Sequence, residues 1–379
     1  SKASKIAMFT GMAGAMRAAT FLSRPQLKRA VAGCLKLSPE GDCPSTRHGS
    51  IREWDVSGVT RMDKLFDDAN SFNGDISKWD MSKVTTVNGM FARATSFNGD
   101  LSQWDLSNMI DMTSLFRRAF SFNSDISSWD VSSVTTMFSM FNSATSFNGD
   151  ISKWDVSRVT TMQYMFNSAL SFNGDISTWD VSSVIDMGQT FAASPFNGDL
   201  PKWDMSKVNN MEQMFYSASS FNGDLSKWDV SSVTTMYAMF HSVPFFNSDL
   251  SKWDVSRVTD MWSMFYYASS FNSDLSKWDV SKVATMYAMF QSATSFNCDI
   301  SKWDVSSVIA MGNMFSKATS FKQELCGAEW VRSTAMKNYM FDDSPGSILG
   351  VSCEPEPIPK LDRSIRTPME RPIVGMPTP

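Results

Sequence analysis

Histidine is nearly absent from this chain. His48 and His241 are the two among 379 residues, and neither has a second His or a Cys pair at ligand spacing. Zinc-type clusters and Ser–His–Asp or Cys–His pairs are therefore not in view. Glycine-rich phosphate loops are missing as well. No run of 18 or more apolar residues occurs, so no membrane-spanning helix is expected. Residues 1–39 contain no Asp or Glu but seven Lys or Arg, which leaves −12 on the remainder of a chain whose formal net charge is −5. A body that acidic argues against nucleic acid as a partner. No secretory signal is visible, and Ser1 in place of Met is read as the trace of a presequence already removed.

Cysteine is scarce too: Cys34, Cys43, Cys298, Cys326 and Cys353. Two lie near each end of the chain, which suggests Cys34–Cys43 and Cys326–Cys353 bridges and an oxidising compartment. Five free thiols in a reducing compartment is the alternative reading. Cys298 stands where other copies of the repeat described next carry Gly or Ser, and reads as a free thiol.

What is abundant is periodic. Trp54, Trp79, Trp104, Trp129, Trp154 and Trp179 recur every 25 residues; after one step of 24, Trp203, Trp228, Trp253, Trp278 and Trp303 continue the count. Each is followed by Asp. A fixed period of this length marks a solenoid whose coils bury their faces on one another. The 28 Met and 28 Phe fall mostly at fixed repeat positions and are core columns. A WD-type propeller is excluded, because its repeats exceed 40 residues and carry a Gly-His phrase.

Within each copy, Asp-Ile-Ser-x-Trp predicts a short parallel strand, and Asp-Val-Ser a turn capped by its own side chains. Met-x-x-Met-Phe predicts about one helical turn facing inward. The expected fold is an α/β solenoid, a leucine-rich-repeat-like right-handed stack of about eleven coils, roughly 50 Å long at ~4.8 Å per strand. Short strands lie on one side, short helices on the other, and both ends are capped. Residues 1–50 are a basic arm with a capping helix over 24–36, where Ser23 and Gln26 form a capping box. Residues 51–320 are the repeats, 321–353 a degenerate C-terminal cap, and 354–379 a tail with seven Pro that cannot enter a helix or sheet interior. Asn73, Asn98, Asn123 and their equivalents to Asn297 resemble the asparagine ladder of leucine-rich repeats. Two Asp columns (Asp75 to Asp299 and Asp55 to Asp304) could collect calcium. The Gly-Gly-x-Gly-x-Asp phrase is missing, however, and Lys recurs three residues after the first column. Turn capping is favoured, and no cofactor is expected.

The phrase Phe-Asn-x-Asp-Ile-Ser-x-Trp-Asp-Val-Ser-x-Val-Thr-x-Met-x-x-Met-Phe resembles the repeat of the BspA-like leucine-rich-repeat surface proteins, known from mycoplasma lipoproteins and from single-celled algae. The segment from Cys34 to Cys43 leading into Glu53-Trp54-Asp55 is similar to the start of algal members. The resemblance implies adhesion or protein–protein interaction, without enzymatic activity and without a fixed ligand.

Function in a repeat protein is expected where exposed positions differ between coils. Tyr237, Trp262 and Tyr287 occupy one column, after the first Met of three consecutive coils, and Tyr216, Tyr266 and Tyr267 cluster just after Phe nearby. Facing outward, they form an aromatic interface for another protein subunit; packed laterally, they merely cover the core. The basic arm is suited to a membrane surface, to a partner or to folding back on its own solenoid, and the Pro-rich tail to the surface of another subunit. Two settings follow: an accessory subunit at the periphery of an organelle membrane complex facing an oxidising lumen, or an adhesin at the extracellular surface.

Overall fold

The protein is described by a computed structural model over residues 19–44 and 46–351. Residues 1–18 of the basic arm, residue 45 and residues 352–379, with the Pro-rich tail, lie outside the described residues. The coil running from Phe147 serves for the rest. Its backbone first crosses the stack, then turns at Ile151–Trp154, where Trp154 N–H donates to Ile151 O at 3.2 Å. It turns again at Val156–Val159. The Asp ahead of each turn caps it: Asp150 Oδ1 accepts from Ser152 N–H, and Asp155 Oδ1 from Ser157 N–H, each at 3.0 Å. Phe147, Ile151, Trp154, Val156, Val159, Met162, Met165, Phe166 and Ala169 are all buried.

Neither the expected strand nor the expected helix forms in the repeats. Parallel bridges run from coil to coil at a single position, just ahead of the first Met: Thr136 to Thr161 to Asp186 and onward. The Met-x-x-Met-Phe segment is a pair of successive turns. Met165 N–H donates to Met162 O (2.9 Å) and Ala169 N–H to Phe166 O (3.1 Å). The third residue of each turn, Tyr164 (φ 60°) and Ser168 (φ 56°), is left-handed. Alternate amides point out of the coil instead: Met162, Tyr164, Phe166 and Ser168 donate to the carbonyls of Asp186, Gly188, Thr190 and Ala192 of the next coil. An i, i+3, i+4 apolar pattern fits either geometry. A helix would spend every amide within its own coil, whereas paired turns free half of them to join neighbours. The left-handed residues cost of order 1–3 kcal/mol each, offset by about 1 kcal/mol per inter-coil bond and by the burial of the Met and Phe side chains.

Two ladders of side chains fix the register. Each repeat Asn accepts on Oδ1 from the N–H of its counterpart in the next coil, as in Asn148 N–H to Asn123 Oδ1 at 2.9 Å. The expected asparagine ladder is thus present. From Trp79 onward each repeat Trp indole donates to a carbonyl of the preceding coil, as in Trp154 Nε1 to Ile126 O at 3.1 Å, and indoles of neighbouring coils stack (Trp129–Trp154, 6.2 Å, 4°). Phe141 stacks on both Phe147 and Phe166 of the next coil. The 24-residue step is absorbed around Ser194, whose hydroxyl accepts from Phe196 N–H. In that coil Thr190 replaces Met, and its buried hydroxyl lies within hydrogen-bond distance of Met162 O and Met187 O.

The N-terminal end is closed by α1 (Arg24–Leu37), which buries Leu27, Ala30, Val31 and Cys34. Residues 19–21 pair with the first coil through Asp55, and the Arg24 guanidinium donates to Asp63 O at 2.9 and 2.7 Å. The expected capping box does not form: Ser23 makes no side-chain cap, and Gln26 Oε1 accepts from Leu22 N–H instead of Ser23 N–H. Cys34 and Cys43 form a disulfide, Cα atoms 5.4 Å apart, tying α1 to the loop leading into the repeats. At the other end, β1 (Glu324–Leu325) pairs in parallel with β2 (Ser347–Ile348). Between them α2 (Ala328–Arg332) buries Trp330. Cys326 is disulfide-bonded; Cys353, its expected partner, lies outside the described residues.

Candidate interaction face

Met, Met and Phe of each paired turn point into the core, so the residues after the first Met and after Phe are left to the outer surface. Tyr237 and Trp262 lie 6.4 Å apart by ring centroids, and Trp262 and Tyr287 4.6 Å. Asn313 Nδ2 donates to the Tyr287 hydroxyl at 2.8 Å. Gly312 makes room for that ring: a Cβ there would sit 2.9 Å from Tyr287 Cε2. The second column is Tyr216, His241 and Tyr266, stacked at 4.5 and 4.4 Å, with Tyr267 edge-on to Tyr266 at 4.6 Å. Ala238, Ser263 and Ala288, all buried, lie in sequence between the columns.

His241 is the member that sequence reasoning missed. It was judged for a metal or catalytic partner and found none. The signal was its register, 25 residues after Tyr216 and 25 before Tyr266. Burial holds its pKa below the usual imidazole range, so the ring is neutral at pH 7 and stacks as an aromatic. Burial and the neighbouring Tyr267 raise the Tyr266 pKa, which keeps that phenol protonated. The rings pack on one another along each column, while Trp262 and Tyr267 stay 39% and 49% exposed.

Other candidates resolve into structure. His48 packs on Phe21 and Trp54 and accepts from Arg47 Nε. Cys298 is free; burial pushes its thiol up to about 11, so it is a poor nucleophile at neutral pH. The Asp columns spend Oδ1 on Ser residues two positions on. In Asp150 and Asp175 those bonds hold the carboxyl below its ordinary range.

Five overlapping stretches of the chain (41–152, 99–200, 140–253, 189–282 and 246–347) match the family described as a Mycoplasma protein of unknown function, DUF285. The chain belongs to this family. It is the BspA-like repeat family that the sequence resembles. Among solved structures, a leucine-rich-repeat protein of Eubacterium ventriosum is 11% identical, with 81% of this chain and 85% of that one covered at a TM-score of 0.39. A leucine-rich-repeat protein of Leptospira interrogans is 9% identical, with 86% and 95% covered at 0.21. No curated protein sequence matches the chain.

Proposed function

We propose that this DUF285 protein is a non-enzymatic interaction scaffold, an accessory subunit held in a larger protein assembly through the aromatic face of the coils between Tyr216 and Tyr287. The observation that carries this reading is the pair of exposed rings there: Trp262 packs on Tyr287, and Tyr267 packs on the stacked Tyr266 and His241. Exposed aromatic clusters on a rigid support are the usual composition of an interface hot spot. The basic arm supplies a second contact, to the partner or to an anionic membrane surface. The Cys34–Cys43 bridge supports an oxidising compartment as its setting, an organelle lumen or the extracellular side. Family membership favours a second reading, a cell-surface adhesin.

The test is affinity purification of the tagged chain from its own cells, followed by mass spectrometry. Trp262→Ala with Tyr267→Ser is expected to lose the co-purifying subunit, since truncating a hot-spot residue costs at least about 2 kcal/mol, roughly thirtyfold in Kd. Recovery of the same subunit at wild-type yield sinks the assignment of the face. Labelling of the protein by a membrane-impermeant reagent on intact cells, with no stable partner recovered, favours the adhesin.

A further inference from the structure

The two ends of the stack are not equivalent. In every coil from the one at Met62 to the one at Met311, four alternate amides of the paired turns donate to the following coil; in the latter these are Met311, Asn313, Phe315 and Lys317, bonded to Met336, Asn338, Met340 and Asp342 O. In the last coil the corresponding amides are Lys337, Tyr339, Phe341 and Asp343. Among the described residues nothing accepts from them. Around this row Met336 and Tyr339 are 64% and 71% exposed. Phe341 stacks inward on Phe315, and its outer face has no ring on it among the described residues. Four parallel donors beside apolar side chains form an edge that takes an extended chain.

We propose that residues 354–379 of the same chain fold back over this edge, their carbonyls accepting from Lys337, Tyr339, Phe341 and Asp343. Three observations select this occupant. A second copy fits poorly: two such edges facing each other would set N–H against N–H, and at the N-terminal end α1 is in place, with Arg24 already on Asp63 O. The tail is at hand. The described chain ends at Val351, two residues past the bond from Leu349 N–H to Leu325 O, and 26 residues at about 3.1 Å each reach ~80 Å. Its chemistry also matches. Seven Pro accept but cannot donate, so a Pro-rich cover satisfies the edge without presenting a full new one. This gives the tail its own solenoid to bind rather than another subunit, and it stands independently of the partner proposed above.

Residue-resolved hydrogen exchange on the full chain, compared with a chain ending at Cys353, tests it. The four amides are expected to exchange at least tenfold more slowly in the full chain, independently of protein concentration. The amides of Met311, Asn313, Phe315 and Lys317 should stay protected in both, showing that the shortened chain is folded. Fast exchange in the full chain overturns the proposal, as does equal protection in both. Protection that grows with concentration assigns the cover to a second molecule and overturns it too.

Discussion

Each recurring polar residue answers a backbone debt. The repeat Asp caps a turn, the Asn joins two coils, and the Trp indole pairs a carbonyl that the stack buries. The indole bond is separable from the ring. Trp154→Phe keeps an aromatic in the column but strands Ile126 O in the core, so equilibrium denaturation should show a loss of about 1–3 kcal/mol. A cost near zero would mean water reaches that carbonyl. The variable residues behave differently. Tyr216, His241 and Tyr266 stack because equal register places them a coil apart, and each is left half-buried.

Among the elements, the paired turn differs most from expectation. Met-x-x-Met-Phe matches one turn of helix in its apolar spacing, and no residue in it forbids a helix. The decision comes from the neighbouring coils, whose carbonyls lie where alternate amides can reach them. Position 168 separates the two geometries. A helix would rank Val above Gly; a left-handed site ranks Gly above Val. Ser168→Gly is therefore expected to unfold within about 1 kcal/mol of wild type, and Ser168→Val to lose roughly 1–3 kcal/mol. The opposite order in a denaturant titration would restore the helix. The two ends contrast in the same terms. Arg24 takes up one of the acceptors that a preceding coil would use, while the last coil leaves its donors open.

For the whole molecule, identical small terms repeat along one axis, so a condition that weakens one column weakens all of its coils. The Asp carboxyls are the column most sensitive to solvent. Side-chain and backbone bonds from Ser lower the pKa of Asp125, Asp254 and Asp279 below the ordinary aspartate range. A folded pKa below the unfolded one adds stability that is complete above the unfolded value and is lost as pH falls through the folded one. Thermal unfolding should therefore hold steady from pH 7 to 5 and drop below about pH 4. A midpoint unchanged between pH 5 and 3 would show that these caps contribute nothing to stability.

The sequence by itself determined the solenoid, its register, the buried columns, the asparagine ladder and the cysteine pair beside α1. A 25-residue period leaves few other ways to bury Trp, Phe and Met in stacked rows, and a ladder needs only one polar residue at one repeated position. Tertiary structure decided the rest. Turns replaced helices, because hydrogen bonds between coils, invisible within one copy, outweigh the local pattern. His241 joined the aromatic face only through neighbours 25 residues away on either side. The open donors at Lys337, Tyr339, Phe341 and Asp343 exist because the stack stops there, and no single repeat carries that information.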